Sequence, residues 1–117
     1  MIQKEKDLLL KDLCARLPYG VKLETLEGPQ KFDIRWLSIN MCNIANPYLP
    51  YLFPISSMTE EQREELMFIS EIRITFTPDR IIEVYKNTIE WFLKNHIDYN
   101  NLIGKGLAID ATNLNIY

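Results

Sequence analysis

The apolar positions of the chain change period several times, and each change marks an element. Leu10, Leu13, Cys14 and Leu17 fall at i, i+3, i+4, i+7, one face of a helix running from about Gln3 to Leu17. Leu9 widens that stripe, while Lys4, Lys6, Asp7, Lys11 and Asp12 fall mostly outside it. Pro18 and Gly20 end the helix, because proline cannot continue it and glycine accepts a reversed φ. The period then drops to two. Val21, Leu23 and Thr25 alternate with Lys22 and Glu24, and Phe32, Ile34 and Trp36 alternate with Asp33 and Arg35. Gly28-Pro29-Gln30 supplies turn chemistry between them, so the pattern predicts a hairpin. After Trp36 the apolar phase slips to Leu37, Ile39 and Met41, the mark of a bulge or of a passage to two-sided burial.

From Asn43 to Ser57 no period holds. Pro47, Pro50 and Pro54 interrupt Tyr48, Leu49, Tyr51, Leu52, Phe53 and Ile55, which excludes regular helix and disfavours strand. The segment is expected to run extended over the core as a strap. A short second helix starts near Ser57, capped by Ser57-Met58-Thr59-Glu60 or by the overlapping Thr59-Glu60-Glu61-Gln62, with Leu66, Met67 and Ile69 as its apolar positions. Ile72, Ile74 and Phe76 alternate with Arg73 and Thr75 as a strand. Thr77-Pro78 opens a third helix that runs to about Asn95. Its stripe of Ile82, Tyr85, Ile89, Phe92 and Leu93 is broadened by Ile81, Val84 and Trp91, which predicts the most buried helix of the chain. Asp98 to Ile103 suit a helical turn closed by Gly104 or Gly106, Leu107-Ala108-Ile109 a last short strand, and Thr112 to Tyr117 a frayed tail.

Strands and helices do not alternate regularly in this order. The expected fold class is α+β: a small, mainly antiparallel sheet of three to four strands packed against about three helices, with residues 1–117 as a single domain. A hydrophobic fraction of 47% and a charged fraction of 25% suit an ordinary globular core. The formal net charge of −3 and the lack of a Lys/Arg stripe argue against a nucleic-acid binder. Cys14 and Cys42 lie among apolar neighbours outside any CxxC pair and read as buried thiols. With one histidine they cannot build a structural zinc site without carboxylates, so no metal or cofactor is expected. No apolar run approaches the ~18 residues that span a bilayer, and the N-terminal stretch mixes charges of both signs, so the expected setting is cytoplasmic with no membrane partner.

Three blocks carry a resemblance: Asp12 to Val21 (DLCARLPYGV), Tyr48 to Glu61 (YLPYLFPISSMTEE) and Trp91 to Ala108 (WFLKNHIDYNNLIGKGLA). They are similar to a family of short proteins of gut anaerobes, often within phage-like or other mobile regions. The resemblance implies a bacterial or phage protein and no particular activity. Relatives usually carry arginine where Phe53 stands, His-His where Asn95-His96 stands and Arg-Gly where Asn100-Asn101 stands. Any site that those polar residues form in relatives is eroded here.

Few side chains offer chemistry. His96, the only histidine, stands near Asp98 and Tyr99, and this trio is the candidate polar site: a general base oriented by a carboxylate, or a histidine that merely satisfies a helix end. Ser56 and Ser57 lack the turn of a serine nucleophile, and capping accounts for Ser57. Gly104-Lys105-Gly106 lacks the rest of a phosphate loop and reads as a turn. The acidic run Glu60, Glu61, Glu64 and Glu65 around Arg63 reads as a solvated face. Tyr48, Tyr51 and Phe53 of the Pro-aromatic segment are the candidate interaction patch, since exposed aromatics anchor interfaces. The sequence therefore points to a non-enzymatic, protein-interaction or accessory module whose partner is another protein or a second copy. The alternatives are a small enzyme or ligand binder built on His96, Asp98 and Tyr99, or weak nucleic-acid binding through Arg35, Trp36, Lys22 and Lys31.

Overall fold

The first helix, α1 (Gln3–Arg16), begins with Glu5 reaching back to the Ile2 N–H at 3.5 Å. It ends in a 3-10 turn, Leu17–Tyr19, which places Pro18 first and closes on Gly20 at φ +74°. This computed structural model describes residues 2–33, 48–70 and 78–117. The predicted strand over Ile72–Phe76 and the phase slip after Trp36 lie outside the described residues, as do Cys42, Arg35 and Trp36.

The inward face of α1 is Leu9, Asp12, Leu13 and Arg16. The stripe predicted from apolar residues alone, Leu10, Leu13, Cys14 and Leu17, is thus offset by one residue, about 100° around the axis. Cys14 is exposed, contrary to its expectation as a buried thiol. The rotation has a cause in charge: Asp12 and Arg16 neutralise each other and go inward, which turns Cys14 out.

Strands β1 (Lys22–Thr25) and β2 (Gly28–Lys31) pair antiparallel, Lys22 with Lys31 through Thr25 with Gly28. A hairpin forms after β1 as expected, but its turn is Leu26–Glu27 and its second strand occupies Gly28–Lys31, where the turn is predicted; Phe32 of the predicted strand lies just past β2, and Ile34 and Trp36 lie outside the described residues. Gly28 adopts φ +91°, and the Thr25 hydroxyl both donates to the Gly28 carbonyl and accepts from the Glu27 N–H. Pro29 is tolerated within β2 on exposed backbone opposite Glu24.

The centre of the Pro-aromatic segment is a strand, not a strap, and its start, 43–47, lies outside the described residues. Residues Tyr51–Pro54 form β3, the middle of a three-stranded sheet of order β4-β3-β5, with β4 (Ile97–Asp98) and β5 (Ile109–Asp110) both parallel to it. The prolines bracket the ladder. Between Pro50 and Pro54, Tyr51, Leu52 and Phe53 keep their N–H groups, and the Phe53 N–H donates to the His96 carbonyl at 2.8 Å. On the opposite edge the Pro50 and Leu52 carbonyls accept from Ile109 and Ala111, each at 2.8 Å. The Leu49 carbonyl accepts from Glu24, and Leu23 bridges Pro50, so β1 is tied to the start of β3.

The class is α+β, with three helices among the described residues, but the mainly antiparallel sheet is corrected: the only antiparallel ladder described is the hairpin. The reason is connectivity. Parallel neighbours need a long crossover, and two helices supply it between β3 and β4: α2 (Glu60–Ser70) and α3 (Pro78–Lys94). At two residues each, β4 and β5 are too short to show a period.

The second of the two predicted caps holds α2. Thr59 N–H donates to Gln62 Oε1 at 3.0 Å, and the Gln62 N–H donates to Thr59 Oγ1 at 3.1 Å. Ser57 instead closes a 3-10 turn, its hydroxyl donating to the Pro54 carbonyl. Helix α3 starts on its proline, yet it is not buried along its length. Val84, Trp91 and Leu93 face inward, whereas Ile81, Ile82 and Tyr85 are exposed. The core gathers Leu9 and Leu13 of α1, Val21, Leu23 and Phe32 of the hairpin segment, Leu52 of β3, and Leu102, Leu107 and Ala108. The stretch Thr112–Tyr117, expected to fray, docks through its last side chain: the Tyr117 hydroxyl donates to the Tyr51 carbonyl at 2.6 Å and accepts from the Lys22 N–H at 2.9 Å.

Candidate functional site

His96 supplies the carbonyl that accepts from the Phe53 N–H of β3. His96 ends α3 in the left-handed region, φ +57°, its N–H donating to the Leu93 carbonyl at 3.2 Å. That reversal drops the chain into β4 and turns the imidazole onto the Tyr117 ring, centroid to centroid 3.9 Å with 10° between the planes. Burial, with the positive charges of Arg16 and Lys22 nearby, lowers the His96 pKa to about 4. The ring is therefore neutral at neutral pH. Its Nδ1 is buried without a hydrogen-bond partner. The same stack desolvates Tyr117, whose hydroxyl is pushed up to about 12.

Asp98 is not the orienter of His96. Its Oδ1 accepts from the Leu102 N–H and its Oδ2 from the Ile103 N–H, each at 2.8 Å, which folds the turn after β4. Tyr99 lies between the Phe92 ring, 5.5 Å away and 22° from parallel, and the Arg16 guanidinium, 5.5 Å from its centroid. Burial raises the Tyr99 hydroxyl above its usual range. Asp98 and Tyr99 share a hollow of about 470 Å³ with Ser56 and Gly104, which His96 does not line. Sequence neighbours are thus separated in space, and the general-base reading of His96, Asp98 and Tyr99 has no geometry behind it.

The candidate interaction patch is also redistributed. Tyr51 is buried, and Tyr48 and Phe53 are half-buried. The Phe53 ring packs on Tyr117 at 5.7 Å. The three therefore do not form an exposed patch, because Tyr51 and Phe53 belong to the central strand. Of the residues offered for nucleic-acid binding, Lys22 donates its Nζ to the Ile116 carbonyl at 2.8 Å and sits 5.9 Å from the Tyr117 centroid. Among the described residues no group of three or more His, Cys, Asp or Glu side chains could hold a metal ion. Among the described residues no helix is long and apolar enough to cross a membrane.

One buried polar cluster is hidden by the periodicity. Asp12 and Arg16, with side chains 0% exposed, stand one turn apart on α1. Arg16 Nε donates to Asp12 Oδ1, and its Nη2 donates to the Ile97 carbonyl at 2.7 Å. Asn100 Nδ2 donates to Asp12 Oδ2 at 2.9 Å. Arg16 Nη1 is buried without a partner. The signal for this cluster was the i, i+4 spacing of opposite charges in phase with Leu9 and Leu13. Beside it, between α1 and α3, opens a cleft of about 420 Å³ whose lining includes Asp12, Tyr99 and Asn100.

The surface of α2 presents the opposite anomaly. None of its residues is buried, and Met67 and Phe68 are 71% and 80% exposed. Glu60, Glu61, Glu64 and Glu65 are exposed as expected, but Glu65 accepts from Trp91 Nε1 at 2.9 Å and so ties α2 to α3. No family model, curated protein or solved structure matches the chain.

Proposed function

We propose that the chain is a protein-interaction module that docks a partner on the exposed apolar side chains of α2 and α3. The observation that carries this reading is α2 itself: eleven residues with none buried, presenting Met67 and Phe68 to solvent. A helix of that length gains too little from its own hydrogen bonds to persist alone, and its contact with α3 through Glu65 and Trp91 leaves Met67 and Phe68 uncovered. Ile81, Ile82 and Tyr85 on α3 are exposed as well. A partner helix or groove that covered these side chains would remove them from water, at roughly 25 cal/mol per Å² of apolar area. The accessory role expected from the sequence belongs to the same reading, with another protein or a second copy as partner.

The test is capture from a bacterial lysate and sedimentation at several concentrations, comparing wild type with a Phe68→Glu, Ile82→Glu variant. A partner or a dimer that is lost in the variant supports the module. Wild type that stays monomeric and recovers nothing, or a partner retained by the variant, overturns it.

A further inference from the structure

We propose that the cleft between α1 and α3 is a binding site for a small organic anion with an apolar body. Leu8, Ala15, Ile89 and Leu93 supply apolar walls, and the volume of about 420 Å³ suits a small ligand. Ala15 contributes to the opening, since a methyl group stands where a larger side chain of α1 would reach toward α3. The rim sets the charge. Lys11 of α1 and Lys86 of α3 line the cleft and are exposed. Neither is in an ion pair with a described carboxylate. Asp7, one turn before Lys11, accepts from Gln3 instead.

The two acids of the lining are already engaged. Asp12 is held by Arg16 and Asn100, and Glu90 pairs with Lys94 at 3.4 Å. The free charge at the cleft is therefore positive, in a chain of net charge −3. Apolar walls under an unpaired cationic rim match a carboxylate or phosphate monoester on a hydrocarbon or aromatic body, and they discriminate against the neutral or cationic analogue. Tyr85 lines the cleft and is also among the side chains proposed for protein docking, so the two surfaces adjoin, and shifts at Lys11 and Ala15 of α1 tell the cleft from the docking face.

Backbone amide shifts of the full chain, titrated with octanoate, octyl phosphate, octanol and inorganic phosphate, test the assignment. The expected result is saturable shifts at Lys11, Ala15, Lys86 and Ile89, with either amphiphilic anion bound about fivefold more tightly than octanol. Octanoate against octyl phosphate then tells which head group the rim prefers. A Lys11→Met, Lys86→Met variant, altered only at exposed positions, should bind octanoate no better than octanol. Ala15→Phe should abolish the shifts from all three chains. Equal binding of octanol and octanoate to wild type, binding of inorganic phosphate as tight as that of octyl phosphate, shifts centred on Met67 and Phe68, or no saturable shift would each overturn the proposal.

Discussion

Two regions of this molecule break the rule of apolar inside and polar outside, and they break it in opposite directions. At the base of α1 the chain buries a carboxylate and a guanidinium; on α2 it leaves a phenylalanine and a methionine in solvent. The first inversion is closed within the chain except at Arg16 Nη1, because Asp12 receives donors from Arg16 and Asn100 and Arg16 reaches the Ile97 carbonyl. The second has no such closure, since no α2 residue is buried. A buried charge with its partners present is a structural device, whereas an exposed apolar helix is an unfinished one.

The largest effect should come from opening the closed inversion. Arg16→Ala leaves Asp12 buried and unpaired, and a loss of about 3–5 kcal/mol is expected in chemical denaturation. The double change Asp12→Leu, Arg16→Met should cost less than the single one, because no lone charge remains. A double variant as unstable as Arg16→Ala would show that the cluster does more than neutralise itself. Next in size is Asp98→Ala, which strips acceptors from two backbone N–H groups and should cost about 2 kcal/mol.

A smaller effect is set by pH. The folded pKa of His96, about 4, lies below the ordinary 6.5, so the unfolded chain takes up the proton first. Stability from this group is complete above pH 6.5 and is lost as pH falls through that value toward 4. Allowing for the partial exposure of the ring, the loss is on the order of 1–2 kcal/mol. Denaturation of wild type and His96→Gln at pH 7 and 4.5 checks it, the variant being the flatter. Tyr117→Phe, which removes the hydroxyl between Tyr51 and Lys22, should cost about 1 kcal/mol. The smallest effect belongs to the open inversion: Phe68→Ala should leave stability within about 0.5 kcal/mol. A large loss there would mean that α2 is packed, not waiting.

The same contrast explains what was legible in the sequence. Helix ends were readable, since Pro18 with Gly20, Thr59 with Gln62, and Pro78 act locally. Hydropathy sets the face of α1 one residue off because it counts Asp12 and Arg16 as outward, and their neutralisation also involves Asn100, which follows them by more than eighty positions. Strand β3 was masked by its prolines, which exclude regular structure only inside a ladder and not at its two ends. The trio His96, Asp98 and Tyr99 looked like a site because it is contiguous. A reversed φ followed by a strand sends such neighbours to different partners: His96 to Tyr117, Asp98 to a turn, Tyr99 to Arg16 and Phe92.

The pairing of β3 also has a consequence during synthesis. Phe53 pairs with Ile97 and Tyr51 with Ile109, separations of 97 − 53 = 44 and 109 − 51 = 58 residues. At about 5–20 residues per second, a strand of tyrosine, leucine and phenylalanine leaves the ribosome seconds before either neighbour exists. An unpaired apolar strand is a template for other chains. Pro50 and Pro54 stand on either side of it, and residues without an N–H cannot extend a foreign ladder. The two prolines that conceal the strand from sequence reading are thus the guards that keep it solitary until its own partners arrive.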